Sequence, residues 1–247
     1  MIPQNYPPFT QQDVILQVVP ELDSGGAEQS SIDIANALLD AGAKPYIWAL
    51  RGRLLDKLKN KNEVHIDHNM KSKNLLIILK NAFALVSFIR KNKVTLIHAR
   101  SRAPAWSAWI AAKITGISYI TTFHATYNYS NALKKFYNTV MVRSKVIIAN
   151  SDFIKNHIVQ HYHIPAEKVT VIHRGVHESY FDDQDKKAER VQHLHDKWKV
   201  QSEEKVILVP ARLTRWKGQE SVVRALAGLK TENYKCIFLG GHQGRED

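Results

Sequence analysis

Val206-Ile-Leu-Val-Pro-Ala-Arg-Leu-Thr-Arg-Trp-Lys-Gly218 places a strand, a loop and a helix start in one short stretch. Residues 206–209 are apolar and rich in β-branched side chains, as in a short buried strand. The loop after them carries Arg212, Arg215 and Lys217, and Gly218 opens a helical spacing through Val222, Val223, Leu226 and Leu229. In an open α/β sheet, ligands gather at the carboxyl ends of strands beside the following helix. Fixed cations there, ahead of a helix N-terminus, suit an anion such as a diphosphate. Arginine can grip two oxygens while lysine acts as a point charge. Three solvated cations on a surface loop is the plainer alternative.

The same unit recurs upstream. Residues 14–19 form an apolar run ending at Pro20; a Gly25-Gly26 loop follows, then helical spacing through Ile32, Ala35, Leu38 and Leu39, with Gly42 as a stop. Glycines at such a turn let backbone approach a ligand with free N–H groups. Alternation continues: a strand at residues 45–50, a helix from Leu54, a strand near residues 64–66 and a long apolar helix over 73–89. That helix has fewer apolar residues than a membrane span needs and is expected to pack on a sheet. The strand at residues 94–97 leads into His98, Arg100 and Arg102, and a helix with Trp106 and Trp109 stops at Gly116. Residues 118–123 form a strand ending in His124 and Tyr127. Two strands ending in polar residues suggest a lined cleft, although a structural hydrogen bond is the alternative for each histidine. Residues 131–143 read as one amphipathic helix with Lys134 and Lys135 beside its apolar stripe. A strand at residues 146–149, a capped helix from Asn150-Ser151-Asp152, and a strand at 169–172 ending in Arg174 follow. A polar crossover over 178–204, with a helix near 188–198, leads to a second unit starting at Lys205. This repeated alternation predicts a doubly wound parallel α/β sheet.

The chain is 247 residues long, 44% hydrophobic, with one cysteine and a net charge of +12. The lone Cys236 excludes an internal disulfide framework and fits a reducing cytoplasm. Residues 1–12 lack the cationic start of a secretory signal, so a loose lead-in is expected. The charge implies an anionic partner without choosing among phosphorylated small molecules, a membrane face and nucleic acid. There is no zinc-type Cys/His spacing, no serine nucleophile elbow and no lysine-bearing phosphate loop.

Six motifs then carry a resemblance: Gly25-Gly26-Ala27-Glu28; Thr121-Thr122-Phe123-His124; Ile147-Ile148-Ala149-Asn150-Ser151; Val171-Ile172-His173-Arg174-Gly175-Val176; Ala211-Arg212 through Lys217-Gly218; and Phe238-Leu239-Gly240-Gly241. In this order the chain resembles the retaining glycosyltransferases of the GT-B fold, family 4, which include bacterial sugar transferases of the cell envelope. The resemblance implies an acceptor-side Rossmann-like domain over residues 1–176, then a crossover and incomplete donor-nucleotide domain over 177–247. Arg212 and Lys217 would hold the donor diphosphate, with Gly25 and Gly26 approaching donor phosphate and sugar. His124 would be the catalytic candidate beside the transferred sugar. His98, Arg100, Arg102, Tyr127 and Arg174 are acceptor or cleft candidates. No cofactor and no metal are expected.

The implied partners are a nucleotide-sugar donor and an anionic lipid-linked or glycan acceptor of lipopolysaccharide type, with contact at the inner-membrane surface and no nucleic acid. The implied place is the cytoplasm, peripheral on that membrane's inner face. The family's Glu-x7-Glu pair has no match in residues 218–247, where Glu246 and Asp247 are misplaced. The chain is therefore expected to be a fragment that is poorly active alone and completed by a companion chain. Two alternatives stand beside this: an inactive nucleotide- or sugar-binding remnant, and a basic nucleic-acid-binding protein. The latter is opposed by the scatter of the basic residues.

Overall fold

The computed structural model describes residues 8–127, 130–175, 184–229 and 233–241. Residues 1–7 of the lead-in, the crossover residues 176–183 and the terminal Glu246 and Asp247 lie outside the described residues. The chain divides into two compact units, Met1–Arg174 and Gly175–Asp247.

The first unit is a seven-stranded, wholly parallel sheet: β1 (Val14–Glu21), β2 (Lys44–Leu50), β3 (His65–Asp67), β4 (Leu96–Ala99), β5 (Ser118–Phe123), β6 (Val146–Ala149) and β7 (Val169–Val171). Their spatial order is β3-β2-β1-β4-β5-β6-β7. The direction of winding reverses between β1 and β4, which opens a crevice at their carboxyl ends. The helices are α1 (Gly26–Asp40), a single turn α2 (Lys61–Val64), α3 (Leu75–Asn92), α4 (Arg102–Thr115), α5 (Ala132–Asn138) and α6 (Asp152–Tyr162).

Strand alternation builds two cores, because successive side chains of a strand point to opposite faces. Leu16, Val18 and Trp48 join one cluster with Leu85, Ile97, Phe123 and Ile147. Val19, Ile47 and Ala49 join the other with Ile32, Leu58 and Val64. Each fully buried Leu, Ile or Phe contributes about 1.5–3 kcal/mol by leaving water. α3 buries Ile78, Ala82, Leu85, Val86 and Ile89 and packs along α4, so its apolar stretch is a core helix. No helix among the described residues is long and apolar enough to cross a membrane.

Three expectations need correction. β1 does not stop at Pro20 but runs through it to Glu21. Its pairing with β2 is irregular between Val18 and Glu21, and such an irregularity accommodates a residue without an N–H. The helix expected from Leu54 is a 3-10 turn, Arg53–Lys57, in which Leu54 and Leu55 pack against the second cluster. The helix expected over residues 131–143 ends at Asn138 and tightens into the 3-10 turn Thr139–Val142. Val140, Met141 and Val142 are buried there while Leu133 and Phe136 remain exposed, so the apolar stripe is split between core and surface.

The second unit holds α7 (Gln184–Trp198), β8 (Lys205–Pro210), α8 (Gln219–Ala227) and β9 (Tyr234–Leu239). β8 and β9 pair in parallel from Lys205–Tyr234 to Pro210–Leu239. Gly218 stands between a 3-10 turn (Arg215–Lys217) and α8 at φ 77°, the left-handed region that favours glycine.

Candidate functional site

β1 and β4 flank the winding reversal, and the residues just beyond them form the first part of the site. Gly25 caps α1 at φ 133°, where other residues are strained. A Cβ there would also lie 2.5 Å from a Glu28 carboxylate oxygen. Gly26 serves a different need: a Cβ there would lie 2.0 Å from Nη1 of Arg174. The glycine pair thus shapes the turn and admits a guanidinium at the start of a fifteen-residue helix.

Arg100, just past β4, is only 3% exposed. Its Nε donates to Gln17 Oε1 at 3.0 Å, Nη1 to Ser30 Oγ at 3.3 Å and Nη2 to His98 Nδ1 at 3.5 Å. All three partners are neutral, and among the described residues no carboxylate pairs with it. Burial first, then repulsion from Arg174, pushes its pKa down to about 9, and it stays charged at neutral pH. Burying a cation without a counter-charge is costly unless the site serves an anion.

His98 is inside β4, with Nε2 donating to Thr122 Oγ1 at 2.7 Å. Both ring nitrogens are engaged by the protein, and burial, aided by Arg100 and His124, drives its pKa well down. It supports Arg100 from behind and keeps its imidazole neutral. Arg102 is the first residue of α4; its Nη1 donates to Asn138 Oδ1 at 3.0 Å, and its guanidinium lies 4.5 Å over the Tyr127 ring. Tyr127 packs on Phe123 at 5.1 Å, and burial raises its phenol pKa. These two brace the segment after β5.

His124 follows β5. Asn150 Nδ2 donates to its carbonyl at 3.2 Å, and Arg174 Nη2 donates to its Nδ1. Burial first, then Arg100 and Arg174, lowers its pKa to about 3. His124 Nε2 and Asn150 Oδ1 are buried without a hydrogen-bond partner among the described residues. Gly25, Gly26, Arg100, His124 and Arg174, from the ends of four strands, are therefore joined by contacts or shared fields at one end of the sheet. Arg102 and Tyr127 form a neighbouring brace.

Arg212 and Lys217, in the second unit, meet on one indole. Their cationic groups lie 5.5 Å and 4.3 Å from the Trp216 ring centre, and Trp216 is 65% exposed. Gln219, in the first turn of α8, donates to the Arg212 carbonyl at 2.7 Å and closes the loop.

Sequence reasoning missed Gln17, Ser30 and Thr122 as site residues. Gln17 had a signal: a polar residue inside the apolar run of β1 needs a buried partner, and its Nε2 donates to Ser31 O while Oε1 takes Arg100. Register sets Gln17 beside His98 across β1 and β4.

The profile of Glycosyltransferase Family 4 matches residues 24–180. A glycosyltransferase from Rickettsia africae ESF-5 is similar in structure at TM-score 0.79 and 41% identity, over 92% of this chain and 60% of that one. The Anabaena protein HepE, solved with UDP-glucose, aligns at TM-score 0.75 and 20% identity over 94% of this chain and 62% of its own. The lipopolysaccharide outer core galactosyltransferase WaaB aligns at TM-score 0.56 and 13% identity over 93% and 61%. The chain thus spans about three fifths of the length of these structures, and the last two speak to the fold alone. No curated protein matches it. With more than half of its residues under that profile, this chain belongs to glycosyltransferase family 4.

Proposed function

We propose that the chain is part of a glycosyltransferase that moves a sugar from a nucleotide-diphosphate sugar to an anionic lipid-linked or glycan acceptor, with retention. The observation that carries this is Arg100, a buried guanidinium without a carboxylate at the crevice between β1 and β4. With Arg174 and the N-terminus of α1 nearby, it makes a site suited to phosphate-bearing ligands. Breaking a glycosyl–phosphate bond places negative charge on the leaving diphosphate, and prearranged cations are the main device for stabilising it. Arg212 and Lys217 supply such cations on a post-strand loop. His124, neutral at physiological pH, orients the transferred sugar through hydrogen bonding. HepE was solved with UDP-glucose and WaaB is named a lipopolysaccharide outer core galactosyltransferase; by that likeness of fold, a UDP-sugar donor and a lipopolysaccharide-type acceptor are the first candidates to test.

The acceptor would be met at the cytoplasmic face of the inner membrane. Leu133 and Phe136 project from α5 at 77% and 56% exposure, with Lys134 and Lys135 between them. Calorimetric titration with UDP, UDP-glucose and a short oligonucleotide tests the function. Nucleotide-diphosphate binding is expected. Tight oligonucleotide binding with steep salt dependence, and no response to UDP or UDP-glucose, refutes it.

A further inference from the structure

A neutral imidazole carries its proton on one nitrogen, and its partners decide which. A guanidinium has five N–H donors and no acceptor, so the nitrogen facing it must present a lone pair. Arg174 Nη2 faces Nδ1 of His124. The ring proton is therefore on Nε2, which is buried and meets no protein acceptor among the described residues. The backbone of His124 is tied at its carbonyl by Asn150, which limits its freedom to turn away.

The charged and titratable groups around the ring agree with this placement. Arg100 approaches from the end of β4 and Arg174 from the end of β7, and both disfavour a second proton. His98 lies behind, itself neutral by burial. Burial lowers the pKa of the Arg174 guanidinium, and the charge of Glu28, in the first turn of α1, partly offsets that. The guanidinium has its place because Gly26 has no side chain: a Cβ would stand 2.0 Å from Nη1.

We propose that Arg174, seated against Gly26, is a positioning residue that fixes His124 as the neutral Nε2–H tautomer, so that His124 donates a hydrogen bond to a sugar hydroxyl oxygen and does not act as a base. This assigns Gly26 to the guanidinium and not to a phosphate. The role toward a sugar rests on the transferase function proposed above; the tautomer does not.

The test is a long-range proton–nitrogen spectrum of the imidazoles in the 15N-labelled 247-residue chain, from about pH 5 to 8. The His124 ring is expected to show one protonated nitrogen, Nε2, with no titration in that window. Arg174→Ala should give a tautomer mixture and an upward-shifted midpoint, and Arg174→Lys should restore the single form. Gly26→Ala should reproduce the mixture with every charge retained, because it displaces the guanidinium without removing it. Unchanged amide dispersion in each variant shows that the fold is intact. An Nδ1–H ring in the unmodified chain, or His124 spectra in Arg174→Ala and Gly26→Ala that do not differ from those of the unmodified chain, overturns the proposal. A locked Nε2–H ring in a protein that binds no nucleotide sugar would support the lock and refute the transferase function.

Discussion

Arg100 gives the sharpest energetic prediction, because the structure places it where a fold alone would not. Its pKa falls from 12.5 to about 9. At about 1.36 kcal/mol per unit, the buried charge costs about 5 kcal/mol relative to the unfolded chain. Hydrogen bonds to Gln17, Ser30 and His98 return about 1 kcal/mol each. The net burden is about 2 kcal/mol. Arg100→Met alone would leave Gln17 Oε1 buried without a partner, an offsetting cost of about 1–3 kcal/mol. The double variant Gln17→Leu/Arg100→Met removes both groups and should be about 2 kcal/mol more stable than the natural chain. Urea unfolding followed by near-ultraviolet circular dichroism measures it, with inorganic phosphate as the second variable. Phosphate should stabilise the natural chain, by about 2.7 kcal/mol at a hundred times its dissociation constant. It should stabilise the double variant much less. A double variant destabilised by more than about 2 kcal/mol, with its response to phosphate unchanged, would show that Arg100 serves the fold and not an anion.

Four further outcomes are expected. Arg212→Ala and Lys217→Ala should each weaken UDP binding by about 1.5–3 kcal/mol without unfolding the protein, as read by calorimetry. Vesicles containing an anionic lipid should float with the protein and neutral vesicles should not. Lys134→Glu/Lys135→Glu should abolish this, since each lysine near such a surface contributes about 1 kcal/mol. Burial and the nearby Arg100 and Arg174 lower the His124 pKa from the ordinary 6.5 to about 3, so the unfolded chain binds the extra proton first. Its contribution to stability is whole above about pH 6.5 and is lost progressively toward pH 3; His124→Gln should flatten the urea midpoint over that window. Donor consumption by the 247-residue chain should be slow alone and rise when a polypeptide that covers the β8–β9 pair is added, because Leu208 and Leu239 stand 45% and 49% exposed there. Rapid turnover by the lone chain refutes that expectation.

Much of the architecture was legible locally. The strand at residues 118–123 and the helix stops at Gly42 and Gly116 follow from side-chain period and from positive-φ glycines, both properties of neighbouring residues. The second-unit loop was legible for the same reason: Arg212, Trp216 and Lys217 lie within one turn of chain, so spacing alone brought them together. Errors arose where burial overruled local pattern. Val140 and Met141 share the helical spacing of Leu133 and Phe136, yet the core takes the first pair and leaves the second outside. Pro20 was a sound strand stop by local rules, but an irregular pairing between Val18 and Glu21 carries the strand through it.

The amino-acid order by itself determined the alternation of strands and helices, the glycine turn ahead of α1 and the cationic loop ahead of α8. Only the tertiary structure decided what those pieces mean together. Gln17 and Arg100 are 83 positions apart, and His124 and Arg174 are 50 apart. Their meeting depends on β4 pairing with β1, and on β5, β6 and β7 following in order. Strand order is set by which apolar faces can be covered at once, a sum over the whole sheet that no local window contains. That sum puts a guanidinium over Gly26 and a proton on Nε2 of His124.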